Sequence, residues 1–167
     1  PFIREDLSEI IDAVVKNRMR FSIVSNGGLI SPEIADYIAF TGRCDYVQVS
    51  VDGSCPEVHD SLRGSGSFDG AIRGIQTLKK AGVRVTSRVT IHRYNINDLE
   101  NIAHFLLDEI GMNAISTNNA NYLGLARENQ EEVLLTPAEF CDAMERILTL
   151  AEQYNQRITA QAGPLSL

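Results

Sequence analysis

The sequence predicts an α/β chain, a curved and open parallel sheet with helices on its outside. Two stretches carry the prediction by alternating apolar and polar residues with a period of two. In the first, Val47, Val49 and Val51 alternate with Gln48, Ser50 and Asp52; in the second, Val83, Val85, Val89 and Ile91 oppose Arg84, Thr86, Arg88, Thr90 and His92. Both lie between segments of helical periodicity, and strict alternation of the two element types gives a parallel sheet with right-handed crossovers. Helix-to-strand connections are tight while strand-to-helix connections are long and polar, which places any site at the carboxyl ends of the strands.

The polar phases decide between closed and open. The lumen of a closed eight-stranded barrel is filled by bulky branched side chains. Gln48, Ser50, Asp52, Arg88 and His92 cannot fill one dry. An open sheet holding a polar ligand accounts for them better.

Taken in order, the elements begin with a helix capped by Asp6, with Glu9 completing a capping box and Leu7, Ile10, Ile11, Val14 and Val15 as its apolar stripe. A strand from Arg20 to Val24 ends in Ser25-Asn26-Gly27-Gly28. Ser31-Pro32-Glu33 starts a helix to about Phe40 that stops near Gly42. The strand Asp45 to Val51 exits through a long loop, Gly53 to Gly66, in which Gly64-x-Gly66 reads as a flexible lid in preference to a phosphate cradle. A helix from Phe68 to Ala81 closes on Lys79-Lys80 and Gly82. The strand Arg84 to His92 follows, then a helix boxed by Asn97 and Glu100 and running to Ile110. A polar strand, Ala114 to Ala120, leads into a loop through Tyr122, Gly124, Arg127 and Asn129. Thr136-Pro137-Ala138-Glu139 starts a helix to about Tyr154, and Arg157 to Ala162 begins one more strand.

The totals exclude more than they assign. The chain of 167 residues is one domain by length, 1–167, with 44% hydrophobic and 22% charged residues. A net charge of -7 argues against a nucleic-acid surface. No apolar run nears a membrane span and no signal peptide is visible, so a cytoplasmic location is expected. The three cysteines, Cys44, Cys55 and Cys141, have no metal-ligand spacing and no pairing pattern. Cys44 and Cys141 read as buried small hydrophobes; Cys55 lies in a loop at the functional end of its strand.

Several motifs together resemble the radical S-adenosylmethionine (radical SAM) enzymes, over essentially the whole chain. Ser25-Asn26-Gly27 resembles the Thr/Ser-Asn-Gly motif closing that fold's third strand. Val49-Ser50-Val51-Asp52-Gly53, with His59-Asp60 and Leu62-Arg63-Gly64, resembles its fourth-strand motif and the loop after it. Ser67-Phe68-Asp69-Gly70-Ala71 is similar to the start of its next helix, and Pro1 to the last residue of its Gly-Gly-Glu-Pro motif. The match is closest to the subgroup that modifies peptides. The resemblance implies a partial (β/α) TIM-like barrel whose first strands lie upstream of Pro1 and whose last strand is cut. It also implies an iron–sulfur oxidoreductase, in which reductive cleavage of S-adenosylmethionine gives a 5′-deoxyadenosyl radical for hydrogen abstraction from a peptide or small molecule. The family's Cys-x-x-x-Cys-x-x-Cys loop for a [4Fe–4S] cluster is absent from these residues. The chain alone is therefore expected to bind neither cluster nor cofactor, to be inactive, and to self-associate through helix faces left uncovered.

The same resemblance gives the candidate site. Arg88, a cation in mid-strand, needs an anion once desolvated. The S-adenosylmethionine carboxylate and an ion pair with Asp52 are the two choices. Ser50 suits that carboxylate or the ribose, or is a serine tucked into the sheet. Ser25 and Asn26 could meet ribose hydroxyls, or only form the turn that Asn-Gly gives anyway. Asn118 and Ala120, with Asn119 and Asn121 beside them, lie where the family holds adenine. His92 could meet substrate or cap a strand end. A module binding a nucleoside or peptide without redox chemistry is the competing reading.

Overall fold

The computed structural model describes residues 1–122 and 124–160. Five strands, β1 (Phe21–Ser25), β2 (Cys44–Ser50), β3 (Val85–Ile91), β4 (Ile115–Asn119) and β5 (Ile158–Ala160), form one sheet in chain order. Every neighbouring pair is parallel. The end of the expected last strand, residues 161 and 162, lies outside the described residues.

The helices are α1 (Leu7–Lys16), α2 (Pro32–Thr41), α3 (Pro56–Arg63), α4 (Ser67–Lys80), α5 (Leu99–His104), the single turns α6 (Leu125–Glu128) and α7 (Gln130–Val133), and α8 (Pro137–Gln153). The apolar strand phases pack beneath them. Val47, Val49, Val51, Val89 and Ile91 are fully or almost fully buried with Ile38, Ile75, Leu78, Ile102, Leu106 and Ile147. The opposite face carries Gln48 and Ser50, Thr86, Arg88 and Thr90, and Ser116 and Asn118, and is open, with β1 and β5 as its edges. Within β2 and β3 the period-two reading therefore assigns the faces correctly, whereas Asp52 and His92, read in the same polar phases, lie beyond the strand ends and are buried.

Strand ends agree with the expected boundaries within one or two residues, and most helix starts do too. Ser31 accepts the Ile34 N–H at 3.4 Å, with Pro32 at the first helical position. Thr136 and Glu139 form the reciprocal box expected for α8. Gly42 ends α2 with φ 60°, a left-handed conformation that favours glycine.

Four expectations are corrected. Asp6 makes no capping bond, because its carboxylate is paired with Arg4 at 2.8 Å. The Asn97 box does not form: Ile96–Asp98 is a 3₁₀ turn, and α5 runs into a π-helical turn over Phe105–Glu109. There Asp98 accepts both the N–H and the hydroxyl of Ser54, at 2.8 and 2.9 Å, and Glu100 binds Arg146 at 2.8 Å. Long-range partners have taken both carboxylates. Cys141 is exposed on α8 and Cys44 is only half-buried. The fourth correction matters most for the site: residues 53–66 are no open lid but contain α3.

α3 forms because Cys55 is extended at its N-cap, Pro56 fills the first helical position and Glu57 lies in the first turn. Asp60 then fixes the turn into α4. Its carboxylate accepts the N–H of Gly66 at 2.6 Å, the N–H of Phe68 at 2.8 Å and the Ser67 hydroxyl at 2.9 Å. These donors hold Asp60 below the usual carboxylate range, although partial desolvation is the largest single influence and opposes them. A phosphate at Gly64-x-Gly66 would have to displace a carboxylate already hydrogen-bonded there.

Candidate functional site

The site is built on the register of the three central strands. Ser50 is level with Arg88, and Arg88 with Ser116; one step further, Thr90 is level with Asn118. These residues share the face turned away from the helices, so period-two geometry sets a polar row across β2, β3 and β4 near their carboxyl ends. Ser50, Arg88, Thr90 and Asn118 are half-buried. The Thr90 hydroxyl lies 3.3 Å from Asn118 Oδ1 and donates to it, fixing the amide where the two strands end.

Above that row lies a cleft of about 600 Å³. Its floor is Thr90 and the run Asn118–Asn121; Ser61 and Leu62 of α3 form one wall, and Tyr94 with α6 and α7 the other. The second wall is tied down. The Arg93 N–H donates to the Val133 carbonyl at 3.0 Å, its guanidinium to the Glu131 carbonyl, and the Tyr94 hydroxyl to Glu132 at 3.2 Å. The Ala120 N–H donates to the Ile91 carbonyl at 2.9 Å, so Ala120 offers a ligand its carbonyl and not its amide.

Asp52 does not reach the cleft. Its side chain is fully buried, ion-paired with Arg63 of α3 and accepting the Thr90 N–H at 2.7 Å. Its own N–H donates to His59 Nδ1 at 3.0 Å, and its carbonyl accepts from Asn95 at 2.8 Å. After the backbone ladder ends at Val51, whose N–H meets the Arg88 carbonyl, this one residue continues it with its side chain. The cation expected on Asp52 is thus Arg63, not Arg88.

His92 is also fully buried, behind Tyr94, with the two rings edge-on at 6.0 Å. Its Nδ1 accepts the Tyr94 N–H at 3.2 Å, and burial pushes its pKa down to about 4. His59, edge-on to Phe68 at 5.7 Å, is likewise lowered by burial. Both rings are held neutral. His92 stands in the structure behind the wall and not on the cleft surface.

The first strand divides the remaining pair. Ser25 is level with Val49 on the helix-facing phase, buried, and its hydroxyl accepts the Gly27 N–H at 3.0 Å. Asn26 is exposed and accepts the Gly28 N–H at 3.3 Å. Both border a second hollow of about 460 Å³, with Phe2, Val24 and Leu29. The structure therefore brings Ser50, Arg88, Asn118 and Ala120 together around one strand-end surface, sets Asn26 at the β1 edge, and turns Ser25, Asp52 and His92 inward. The sequence reading missed Thr90, Tyr94 and Glu132; of these, Thr90 alone had a signal, since it shares the polar phase of Arg88.

Among the described residues no group of three His, Cys, Asp or Glu side chains could hold a metal ion. Cys44 opens β2, Cys55 precedes α3 and Cys141 lies on α8, so they offer no joint ligand set for a [4Fe–4S] cluster. No helix among these residues is long and apolar enough to cross a membrane.

A family model described as the Radical SAM superfamily matches residues 1–106. The chain is 39% identical over 104 residues to mycofactocin maturase MftC of Mycobacterium tuberculosis, covering 62% of this chain and 26% of the relative. It is 34% identical over 146 residues to the AdoMet-dependent heme synthase of Oleidesulfovibrio alaskensis, covering 80% and 37%. It is 26% identical over 153 residues to the PqqA peptide cyclase of Ruegeria pomeroyi, covering 91% and 40%. The chain thus spans less than half the length of these relatives. Among solved structures, Streptococcus suis SuiB bound to its precursor peptide SuiA matches with a TM-score of 0.75 at 12% identity, covering 96% of this chain and 36% of that one. Native anSMEcpe with bound AdoMet and the Kp18Cys peptide matches with a TM-score of 0.73 at 15% identity, covering 92% and 46%. Likeness at that identity bears on the fold, and the fold is that of a partial TIM-like barrel.

Proposed function

The chain belongs to the radical SAM superfamily, and from that membership we propose that these residues form the cofactor-binding half of an enzyme that modifies a peptide. The observation carrying the proposal is the level row Ser50–Arg88–Ser116, followed by Thr90–Asn118, on the helix-free face of a chain that the family model matches. The peptide is supported by the names of the relatives, a maturase and a peptide cyclase.

The residues present fit S-adenosylmethionine. The helix-free face carries the Arg88 cation among hydroxyls and amides at half-burial, groups that a polar, charged ligand can meet and an apolar one cannot. In this reading Arg88 meets the carboxylate, Ser50 the carboxylate or ribose, Asn26 the ribose, and Asn118 with the Ala120 carbonyl the adenine edge. Ser25 and Asp52 act by shape: the first fixes the Gly27 turn, the second holds α3 against β3. These residues do not fit the [4Fe–4S] cluster, whose cysteines would have to come from outside the 167. When bound, the cofactor supplies a carbon radical for hydrogen abstraction; the described residues bind it, orient it and shield it.

The test uses the complete protein with its cluster reconstituted anaerobically. Arg88→Ala removes one charge-assisted hydrogen bond, about 1.5–3 kcal/mol, and should weaken S-adenosylmethionine binding roughly 10- to 150-fold in a calorimetric titration. Iron content should stay unchanged. Wild-type affinity in that variant would overturn the assignment of Arg88. Residues 1–167 alone should acquire no cluster absorption on reconstitution with iron and sulfide.

A further inference from the structure

A third hollow, of about 400 Å³, lies on the helix-free face, on the amino-end side of the cofactor row. Gln48 is level with Thr86 there, two residues before the level pair Ser50 and Arg88, which sets the two rows roughly 6–7 Å apart. Ser116 is common to the hollow and the row, but its hydroxyl donates to the Ser87 carbonyl at 3.4 Å and is not free for a ligand.

Gln48 is 6% exposed, yet its side chain makes no hydrogen bond to any described residue. Its amide atoms keep access to the hollow they line, unlike the enclosed Thr86 Oγ1 beside them. Packed on its other sides, the amide is preset and loses little rotamer freedom when a ligand meets it. The charge at the rim decides which ligand that is. Asp45 is the one carboxylate among the described lining residues, and Arg20 binds it at 2.5 Å. Arg84 lines the rim, is exposed, and makes no ion pair among the described residues. An unneutralised guanidinium above a buried carboxamide donor suits a carboxylate.

We propose that this hollow is a subsite for a carboxylate of the peptide substrate, with the Gln48 amide donating from its floor and Arg84 from its rim. The proposal rests on the reading of the chain as part of a peptide-modifying enzyme and deepens it by naming an acidic group as what the enzyme selects. A carboxylate anchored there sets the peptide directly beneath the residues assigned to the cofactor.

The test takes the complete, reconstituted protein and three acetylated glycine pentapeptides. One is amidated with glutamate at its centre, one is amidated with glutamine there, and one has central glutamine and a free terminal carboxylate. A saturation-transfer NMR titration at low salt should show an acidic peptide binding about tenfold tighter than the neutral one. Which acidic peptide does so distinguishes a side chain from a chain end. Arg84→Gln, at an exposed residue, should cut that preference about two- to fivefold, and high salt should do the same to wild type. Gln48→Met, close in size, should cut it about fivefold or more. S-adenosylmethionine affinity, titrated separately, should stay at its wild-type value in both variants. Absent or equal binding of the three peptides by wild type, or an unchanged preference in Arg84→Gln, overturns the proposal while leaving the cofactor reading intact. Loss of cofactor affinity in either variant also overturns it, since the hollow would then serve the cofactor. A wild-type protein that binds no S-adenosylmethionine overturns the cofactor reading instead, and the peptide preference, measured without it, still decides the carboxylate subsite.

Discussion

Asp52, at the end of β2, is ion-paired with Arg63, at the end of α3, and not with Arg88 across the sheet. The carboxylate is fully buried while the guanidinium is about a quarter exposed, at 27%. The pair fastens the helix that carries Ser61 and Leu62, one wall of the cleft, to the strand ends that form its floor. It also leaves the charge of Arg88 outside that pairing.

Asp52→Ala should therefore act on stability first. It strands a partly buried cation and the Thr90 N–H together, a change worth about 3 kcal/mol or more. For a chain of this length that lowers the melting temperature by roughly 6–12 °C. Arg63→Met should cost at least as much, because it leaves the fully buried carboxylate without its cation even though the methionine packs where the arginine stem lay. Thermal unfolding followed by circular dichroism measures both; an unshifted midpoint in Asp52→Ala would show that the pair contributes nothing.

His92 makes stability depend on pH in a defined window. Burial lowers its folded pKa to about 4, below the unfolded value near 6.5, so the unfolded chain binds the proton first. The stabilisation is present above pH 6.5 and is lost as pH falls toward 4, amounting to about 2–3 kcal/mol; His59 acts in the same direction. His92→Asn retains an acceptor for the Tyr94 N–H and removes the titration. Urea unfolding at pH 7.0 and pH 4.5 should show a smaller difference for the variant than for wild type, and equal differences would refute this account.

Gly74 marks a close crossing. A Cβ there would lie 2.4 Å from the Gly27 carbonyl oxygen, which is backbone and cannot swing aside. Alanine is the better helix former by about 1 kcal/mol, so an open helical site would gain from the change. Here overpacking wins, and Gly74→Ala should destabilise by about 1–3 kcal/mol in urea unfolding. The Gly27 turn that precedes α2 moves with it, so Asn26 should shift as well. A stabilised variant would mean that β1 and α4 separate more easily than their packing indicates.

The faces of β2 and β3 were legible because period-two alternation is a local property, and Val49 and Ile91 obey it residue by residue. Which cation reaches Asp52 was not legible. It depends on α3, an eight-residue helix between glycines with a single fully buried side chain, His59, and so no apolar stripe to reveal it. Its Cys55-Pro56-Glu57 start nevertheless repeats the Ser31-Pro32-Glu33 pattern read correctly for α2. The Asn97 and Asp6 boxes failed for one physical reason. A box is a local bond between neutral and charged neighbours, and Arg146 and Arg4 offered the box carboxylates of Glu100 and Asp6 charged partners instead. The cleft wall at Tyr94 and Glu132 had no signal, since α6 and α7 are single turns too short for any periodicity.

Thr90 separates the cofactor reading from a purely structural one. Its N–H belongs to Asp52, while its side chain donates to Asn118 Oδ1 and so turns the other end of that amide toward the cleft. Thr90→Val keeps shape and backbone but removes the hydroxyl. At a half-buried site the lost hydrogen bond is worth about 0.5–1.5 kcal/mol, and water can replace part of it in the fold. Stability should therefore change little. If Asn118 meets the adenine edge, its amide must be oriented beforehand, and the same loss should appear in S-adenosylmethionine affinity as roughly a 2- to 12-fold weakening. The two measurements together decide the role of Thr90. Weakened binding with an unchanged unfolding midpoint places Thr90 behind the ligand as a positioning residue. A lower midpoint with unchanged affinity would return both Thr90 and Asn118 to the sheet.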